Sequence, residues 1–215
     1  MKSLLIKDFY MIRKTALIMM GLGVLYVTMG ALDPTSNMQL FSMFLFLFLA
    51  ILPGTLLSLE EKSHWMELAV MLPFSRGMLV REKYVIGLIH IAIASLLCSL
   101  IHAALYALGL GGLHPGQELL ALIAMGAGSG LVLIAVALPW MFVLGAAKGR
   151  IFMVGSVGLM SGLSVVLLGT YEGDMLMLMA KLGSWVPAMY AAAALMLCLL
   201  SMLISTALFR RKQIG

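Results

Sequence analysis

Six long apolar runs dominate the sequence and constrain its fold more than any other feature. Each holds about 20 residues, enough to cross a ~30 Å hydrocarbon layer as a helix. In lipid, backbone polar groups must be paired within the segment, which favours helices. With 63% hydrophobic and 11% charged residues, we predict an all-α membrane protein with a single transmembrane domain, 1–215. The predicted spans are residues 16–32, 40–59, 85–109, 119–143, 151–170 and 185–208.

Basic residues alternate sharply between the connections that join these spans. Thirteen of the 14 Lys and Arg residues fall in segments 1–15, 60–84, 144–150 and 209–215. The three other connections contain one basic residue, Lys181. The positive-inside rule therefore predicts a multi-pass protein with both termini in the cytoplasm. The net charge of +5 is explained by this topology, so we expect no nucleic-acid partner.

Two shorter segments have helical periodicity outside the spans. The opening MKSLLIKDFYMIRK places Leu5, Phe9 and Ile12 on one face, which predicts an interfacial helix leading into the first span. Before the sixth span, apolar residues recur at helical spacing and predict an amphipathic helix at the outer surface, a possible outer gate. These residues are Met175, Leu178, Met179 and Leu182.

Catalytic and energy-coupling motifs are sparse. Ser129 in GAGSG is a possible nucleophile for an intramembrane serine protease, but small residues at this spacing more often serve helix packing. His90 and His102 lie within the third span on different faces, and we expect each to bond a neighbouring helix. The loop GAAKGR, residues 145–150, does not match the phosphate-binding pattern. We therefore expect no enzyme activity and no bound cofactor in this chain.

The connection 60–84, EEKSHWMELAVMLPFSRGMLVREKY, is the most informative charged segment. Trp65, Leu68 and Leu72 recur at helical spacing and predict a short amphipathic helix that Pro73 ends. Ser75 is placed to cap a second helix that continues into the third span. A short helix that carries both charge signs and an indole is suited to docking a cytoplasmic partner.

The same segment resembles a known family. The order of acid, Trp, Leu-Pro-x-Ser-Arg and Val-x-x-Lys-Tyr is similar to the second-to-third-span loop of type-2 ABC permeases. Small stand-alone permeases of bacterial peptide exporters, including exporters of phenol-soluble modulins, are the most similar group. The opening MKSLLIKDFY resembles the elbow helix of these permeases. The carrying residues are Glu61, Trp65, Leu72, Pro73, Ser75, Arg76, Val80, Lys83 and Tyr84.

The resemblance implies a partner that supplies energy. It implies a dimer with a second permease copy or paralogue, and two cytoplasmic ABC ATPase subunits that bind ATP and Mg. The helix 61–72 would be the coupling helix, and the loop 145–150 would make a second contact. The implied coupling residues are Glu61, His64, Trp65, Glu67, Leu68, Pro73, Ser75, Arg76, Lys148 and Arg150.

These observations predict a permease subunit that exports hydrophobic or amphipathic cargo, with peptides implied by the resemblance alone. The implied location is the bacterial cytoplasmic membrane. Two alternatives remain open at this point. One is an ATPase-independent channel or membrane assembly protein, and the other is an intramembrane protease.

Overall fold

The computed structural model describes residues 2–32, 38–65, 68, 75–110, 113, 116–152, 154–156, 158, 183 and 185–211. Within these residues all regular secondary structure is helical, so the predicted all-α class is confirmed. We number the six long helices in chain order. They are α1 (Lys2–Leu32), α2 (Met38–Ala50), α3 (Leu52–Lys62), α4 (Arg76–Ala107), α5 (Gln117–Leu144) and α6 (Trp185–Arg211).

Among the described residues, five helical stretches are long and apolar enough to cross a membrane, with α2 and α3 together forming one of them. They overlap predicted spans one to four and six, although the first begins 12 residues earlier than predicted, at Leu4, and the third eight residues earlier, at Gly77. The interruption between α2 and α3 is a single turn residue, Ile51, just before Pro53. The predicted span 151–170 lies mostly outside the described residues. Of its first part, residues 151, 152, 154–156 and 158 are helical.

The predicted interfacial helix at the N-terminus is not a separate element. Residues 2–15 belong to the same unbroken helix as the first span. A different face of this helix packs on the protein, because Leu4, Asp8 and Ile12 are buried whereas Phe9 is 60% exposed. These three follow each other at intervals of four, so the face that packs inward includes an acid that local hydrophobicity would place outside.

Helix α5 lies at the centre of the bundle and packs against α2, α3, α4 and α6. Its small residues allow this close approach. A Cβ atom added at Gly126 would lie 2.4 Å from the Phe46 ring, and one at Gly128 would lie 2.5 Å from the Tyr190 ring. Ser129, the residue after Gly128, donates its hydroxyl to the Gly126 carbonyl of the same helix at 2.8 Å. GAGSG therefore serves helix packing, as the second interpretation of this motif predicted.

A proline inside α5 leaves a carbonyl that another helix satisfies. Pro139 has no N–H, so the Ala135 carbonyl loses its usual partner within the helix. Ser201 of α6 donates its hydroxyl to this carbonyl at 2.6 Å, and lies 2.8 Å from the Tyr84 hydroxyl of α4. Ser205 contacts the same Tyr84 hydroxyl at 2.8 Å. The polar groups thus tie three helices together where a membrane would provide no water.

Replacing Ser201 by alanine is expected to lower the free energy of unfolding by about 1–2 kcal/mol, because the Ala135 carbonyl loses its donor. The change can be measured by denaturant titration of the purified protein in micelles. Ser99→Ala is the matched control, because the half-buried Ser99 donates its hydroxyl only to the Leu96 carbonyl of its own helix. Equal stability of the two variants would show that the hydrogen bond from Ser201 to the Ala135 carbonyl does not stabilise the bundle.

The two histidines of α4 differ in their partners. His102 is buried and its Nε2 lies 3.0 Å from the Ser42 hydroxyl of α2, so the predicted bond to a neighbouring helix is confirmed. The Leu113 N–H also points to His102 Nδ1, at 3.4 Å. For His90 the expectation was wrong, because its Nδ1 lies 2.8 Å from the Ile86 carbonyl of the same helix. Neither arrangement leaves a histidine beside Ser129.

Candidate functional site

The end of α3 and the loop after α5 form one surface, although the sequence separates them by more than 80 residues. Glu61 Oε2 accepts a hydrogen bond from the Ala146 N–H at 2.6 Å. Ala146 begins the helical segment 146–152, where free N–H groups and the helix dipole favour a carboxylate. Glu61 therefore fixes the start of the segment 146–152 against α3.

The glycine before this segment is required by the geometry. Gly145 has φ +83°, a left-handed conformation that other residues rarely adopt. A Cβ atom at Gly145 would also lie 2.7 Å from Glu61 Oε1. Gly145 thus allows the chain to leave α5 and turn back toward α3.

Arg150 makes a second tie between the same two elements. Its Nη2 donates to the Ser58 hydroxyl of α3 at 2.6 Å, and the guanidinium remains at the exposed surface. Lys148 is exposed in the same segment. The family resemblance implied two partner contacts, the helix 61–72 and the loop 145–150. The structure brings Glu61, at the start of the first, against the second, and we call Glu61, Lys148 and Arg150 the coupling surface.

Trp65 lies beside the coupling surface but packs on the protein itself. Its ring contacts a small cluster with Leu4 of α1 and Leu79 of α4. Lys7 Nζ lies 4.2 Å from the ring centroid, within the range of a cation–π interaction. The indole thus links the end of α3 to α1 and α4, whereas the neighbouring His64 is exposed and has φ +54°.

The structure describes only some of the remaining predicted coupling residues. Ser75 is the N-cap of α4, and its hydroxyl accepts from the Met78 N–H at 3.3 Å, so the predicted cap is confirmed. Arg76 is the first residue of α4, with only its backbone described. Leu68 is 55% exposed. Glu67, Pro73 and most of the predicted helix 61–72 beyond Trp65 lie outside the described residues. The same is true of the predicted outer gate, Met175, Leu178, Met179 and Leu182.

Beneath the coupling surface, a buried ion cluster joins α1, α3 and α4. Lys83 Nζ is 2.5 Å from Asp8 Oδ2 and 2.7 Å from Glu60 Oε1. Lys7 Nζ approaches the same two acids, at 2.8 Å from Asp8 Oδ1 and 2.5 Å from Glu60 Oε1. Asp8, Glu60 and Lys83 have side-chain exposures of at most 2%. Each acid is thus shared between two ammonium groups, which offsets the cost of burial.

Glu82 adds a third carboxyl to this cluster. It is fully buried, and no donor among the described residues bonds either of its oxygens. A buried carboxyl without a donor is costly to ionise, so this environment favours the protonated form of Glu82. With that proton, the charges of two lysines and three acids balance. The cluster is therefore neutral as a whole, which suits a region of low dielectric constant.

Sequence reasoning missed the ion cluster because it assigned these residues to solvated connections. The helical spacing of the acids nevertheless indicated that they could be buried. Asp8 lies four residues from both Leu4 and Ile12, and Glu60 lies four residues after Leu56, all buried. An acid in register with an apolar face is a candidate for a buried pair, but its partner cannot be read from one helix.

Metal-binding groups are not present in the part of the chain that the structure describes. No group of three or more His, Cys, Asp or Glu side chains is arranged to hold a metal ion there. Cys98 and Cys198 are both buried and free. These observations leave the coupling surface as the candidate functional site.

The comparison with known proteins identifies the family to which the chain belongs. Residues 3–210 match the family model described as ABC-2 family transporter protein. The chain belongs to the ABC-2 transporter family. No curated protein and no solved structure matches it. An ABC-2 family member is typically a non-catalytic membrane subunit, and the family implies a partnership with an ABC ATPase.

Proposed function

We propose that this chain is the permease subunit of an ATP-driven exporter of hydrophobic or amphipathic cargo. Energy comes from two copies of a separate ATPase, and a second permease copy or paralogue completes the pathway. The observation that carries this proposal is the joining of Glu61, Lys148 and Arg150 in one exposed surface. Peptides are our proposed cargo, supported by the resemblance of the 60–84 segment to peptide-exporter permeases.

The orientation in our proposal follows from charge. With both termini in the cytoplasm of a bacterium, the coupling surface faces the cytoplasm, where ATP is available. The charge bias supports this, because 13 of 14 basic residues share that side. An ATPase that docks there would contact the end of α3 and the segment 146–152 together.

Movement of the docked surface reaches the bundle through connected elements. Glu61 and Arg150 join α3 to the segment that follows α5. The ion cluster joins the preceding residue, Glu60, to α1 and α4. We propose that closure of the ATPases on ATP shifts these elements together and opens the pathway outward. Helices linked by buried ion pairs move as a unit because separating the charges is costly.

Reversing the charge of the coupling surface tests this proposal. The double variant Lys148→Glu, Arg150→Glu is expected to reduce the amount of ATPase that co-purifies with tagged permease by about tenfold, since opposed charges at a docking site become repulsive. The purified permease is expected to stay monodisperse, because Lys148 and Arg150 are exposed.

Lys181→Glu is the matched control, with the same charge reversal in a connection that we place outside the cell. It is expected to keep the full amount of ATPase. An ATP-binding protein that is retained equally by all three proteins contradicts the location of the docking site. If the wild type retains no ATP-binding protein, an ATPase-independent channel or assembly protein is favoured.

A further inference from the structure

A cavity with a volume of about 380 Å³ lies between α2, α3, α5 and the segment 146–152. This volume falls in the range of small-molecule sites, about 300–1,000 Å³. Its walls include Ile51, Pro53, Leu138 and Met141, and they are mainly apolar. Gly54 also lines it, and the missing side chain leaves room for the Met141 side chain. The cavity is therefore suited to an apolar group.

Two polar side chains line this cavity. Thr55 donates its hydroxyl to the Ile51 carbonyl at 3.3 Å, so its donor is used within its own helix. Arg150 donates one N–H to Ser58, and its other donors have no partner among the described residues. A guanidinium presents paired donors that match the oxygens of a phosphate. The cavity thus offers apolar walls and one free cationic fork, which together fit an anionic amphiphile.

The position of Arg150 relative to the membrane indicates which kind of anionic amphiphile binds. In the proposed orientation, Arg150 lies at the cytoplasmic side, where the membrane surface is negatively charged. We propose that an anionic phospholipid binds here, with an acyl chain in the cavity and its phosphate on Arg150. This inference uses the proposed orientation and goes beyond the proposed function, since it assigns a resident lipid that is not the cargo.

The test measures lipid retention by the purified full-length chain without any ATPase. The protein is placed in nanodiscs with equal phosphatidylglycerol and phosphatidylcholine of identical acyl chains, then extracted and analysed by native mass spectrometry. The wild type is expected to retain phosphatidylglycerol at least about fivefold over phosphatidylcholine, because the choline cation of phosphatidylcholine offsets the phosphate charge that Arg150 would bind. Arg150→Gln is expected to bring this ratio close to one.

Two further variants separate the site from general charge and from folding. Lys148→Gln removes the same charge from the same segment, but Lys148 does not line the cavity, so the ratio should remain. Ala137→Phe fills the wall and should reduce retention of both lipids. Thermal unfolding of each variant checks that the fold persists.

Three results would overturn the lipid site. They are a wild-type ratio near one, an unchanged ratio in Arg150→Gln, and an equal loss in Lys148→Gln. Because no ATPase is present, each leaves the proposed permease function standing. Conversely, failure of ATPase co-purification leaves the lipid measurement unaffected.

Discussion

Replacing Lys83 by methionine is expected to lower the free energy of unfolding by about 3–5 kcal/mol, the usual cost of leaving buried charges without their partner. Lys83 is the fully enclosed cation between Asp8 and Glu60. Methionine has a similar length but no charge, so two carboxylates would depend on Lys7 alone. We expect a large loss of monodisperse protein and an earlier denaturation midpoint in micelles.

Lys62→Met is the matched control for this experiment, because Lys62 is exposed at the end of α3. It is expected to change stability by less than about 0.5 kcal/mol. If Lys83→Met does not accumulate, the double variant Lys83→Met, Glu60→Gln should recover part of the loss, since it removes one uncompensated acid. Equal stability of Lys83→Met and Lys62→Met would show that the ion cluster does not hold α1, α3 and α4 together.

Adding one methyl group at Gly149 is expected to displace the segment 146–152 from the end of α5. A Cβ atom there would lie 2.6 Å from Met141 Cα and 2.8 Å from its nitrogen. Backbone atoms cannot rotate aside as a side-chain end can, so the segment must shift, at a cost of about 1–3 kcal/mol. The shift would separate Arg150 from Ser58, and ATPase co-purification should fall with it.

The control is Gly155→Ala, a helical position where an added Cβ has no atom within 4 Å. That change should leave both stability and ATPase binding intact. The decisive comparison is the amount of ATPase that each variant retains at equal permease. A Gly149→Ala protein with wild-type ATPase binding would mean that the segment 146–152 is not part of the docking site.

Local features of the fold could be predicted from the sequence. The long apolar runs predicted the helices, and Ser75 was identified as a cap because its hydroxyl can accept from a backbone N–H three residues away. The link between helices at Pro139 was not recognised. Pro139 leaves the Ala135 carbonyl without its usual donor, and Ser201, 66 residues from Ala135, donates to it instead. A cap could be predicted because it depends on residues close in the sequence. Packing could not, because it depends on residues from several helices.

The same limit applies to the candidate site, where residue types could be predicted from the sequence but contacts between distant residues could not. The types of residue at Glu61, Lys148 and Arg150 indicated surface contacts, and the structure shows that they share one surface. The contact by which Glu61 fixes the start of the segment 146–152 spans 85 residues, so it could not be predicted from the local sequence. For Trp65, an aromatic side chain in a charged loop suggested a free docking group. Its packing on Leu4 and Lys7 depends on α1, which the loop sequence does not specify.

The most direct test of the account is a cross-link from position 148 in native membranes. Cys98 and Cys198 are buried, so Lys148→Cys introduces an accessible thiol at the coupling surface. A thiol-reactive photo-cross-linker attached there in inside-out vesicles should capture a protein whose sequence contains a phosphate-binding loop, and addition of ATP should change the yield. Labelling of the same thiol from outside intact cells, or capture of no ATP-binding protein, would contradict the proposal that a cytoplasmic ATPase drives this permease.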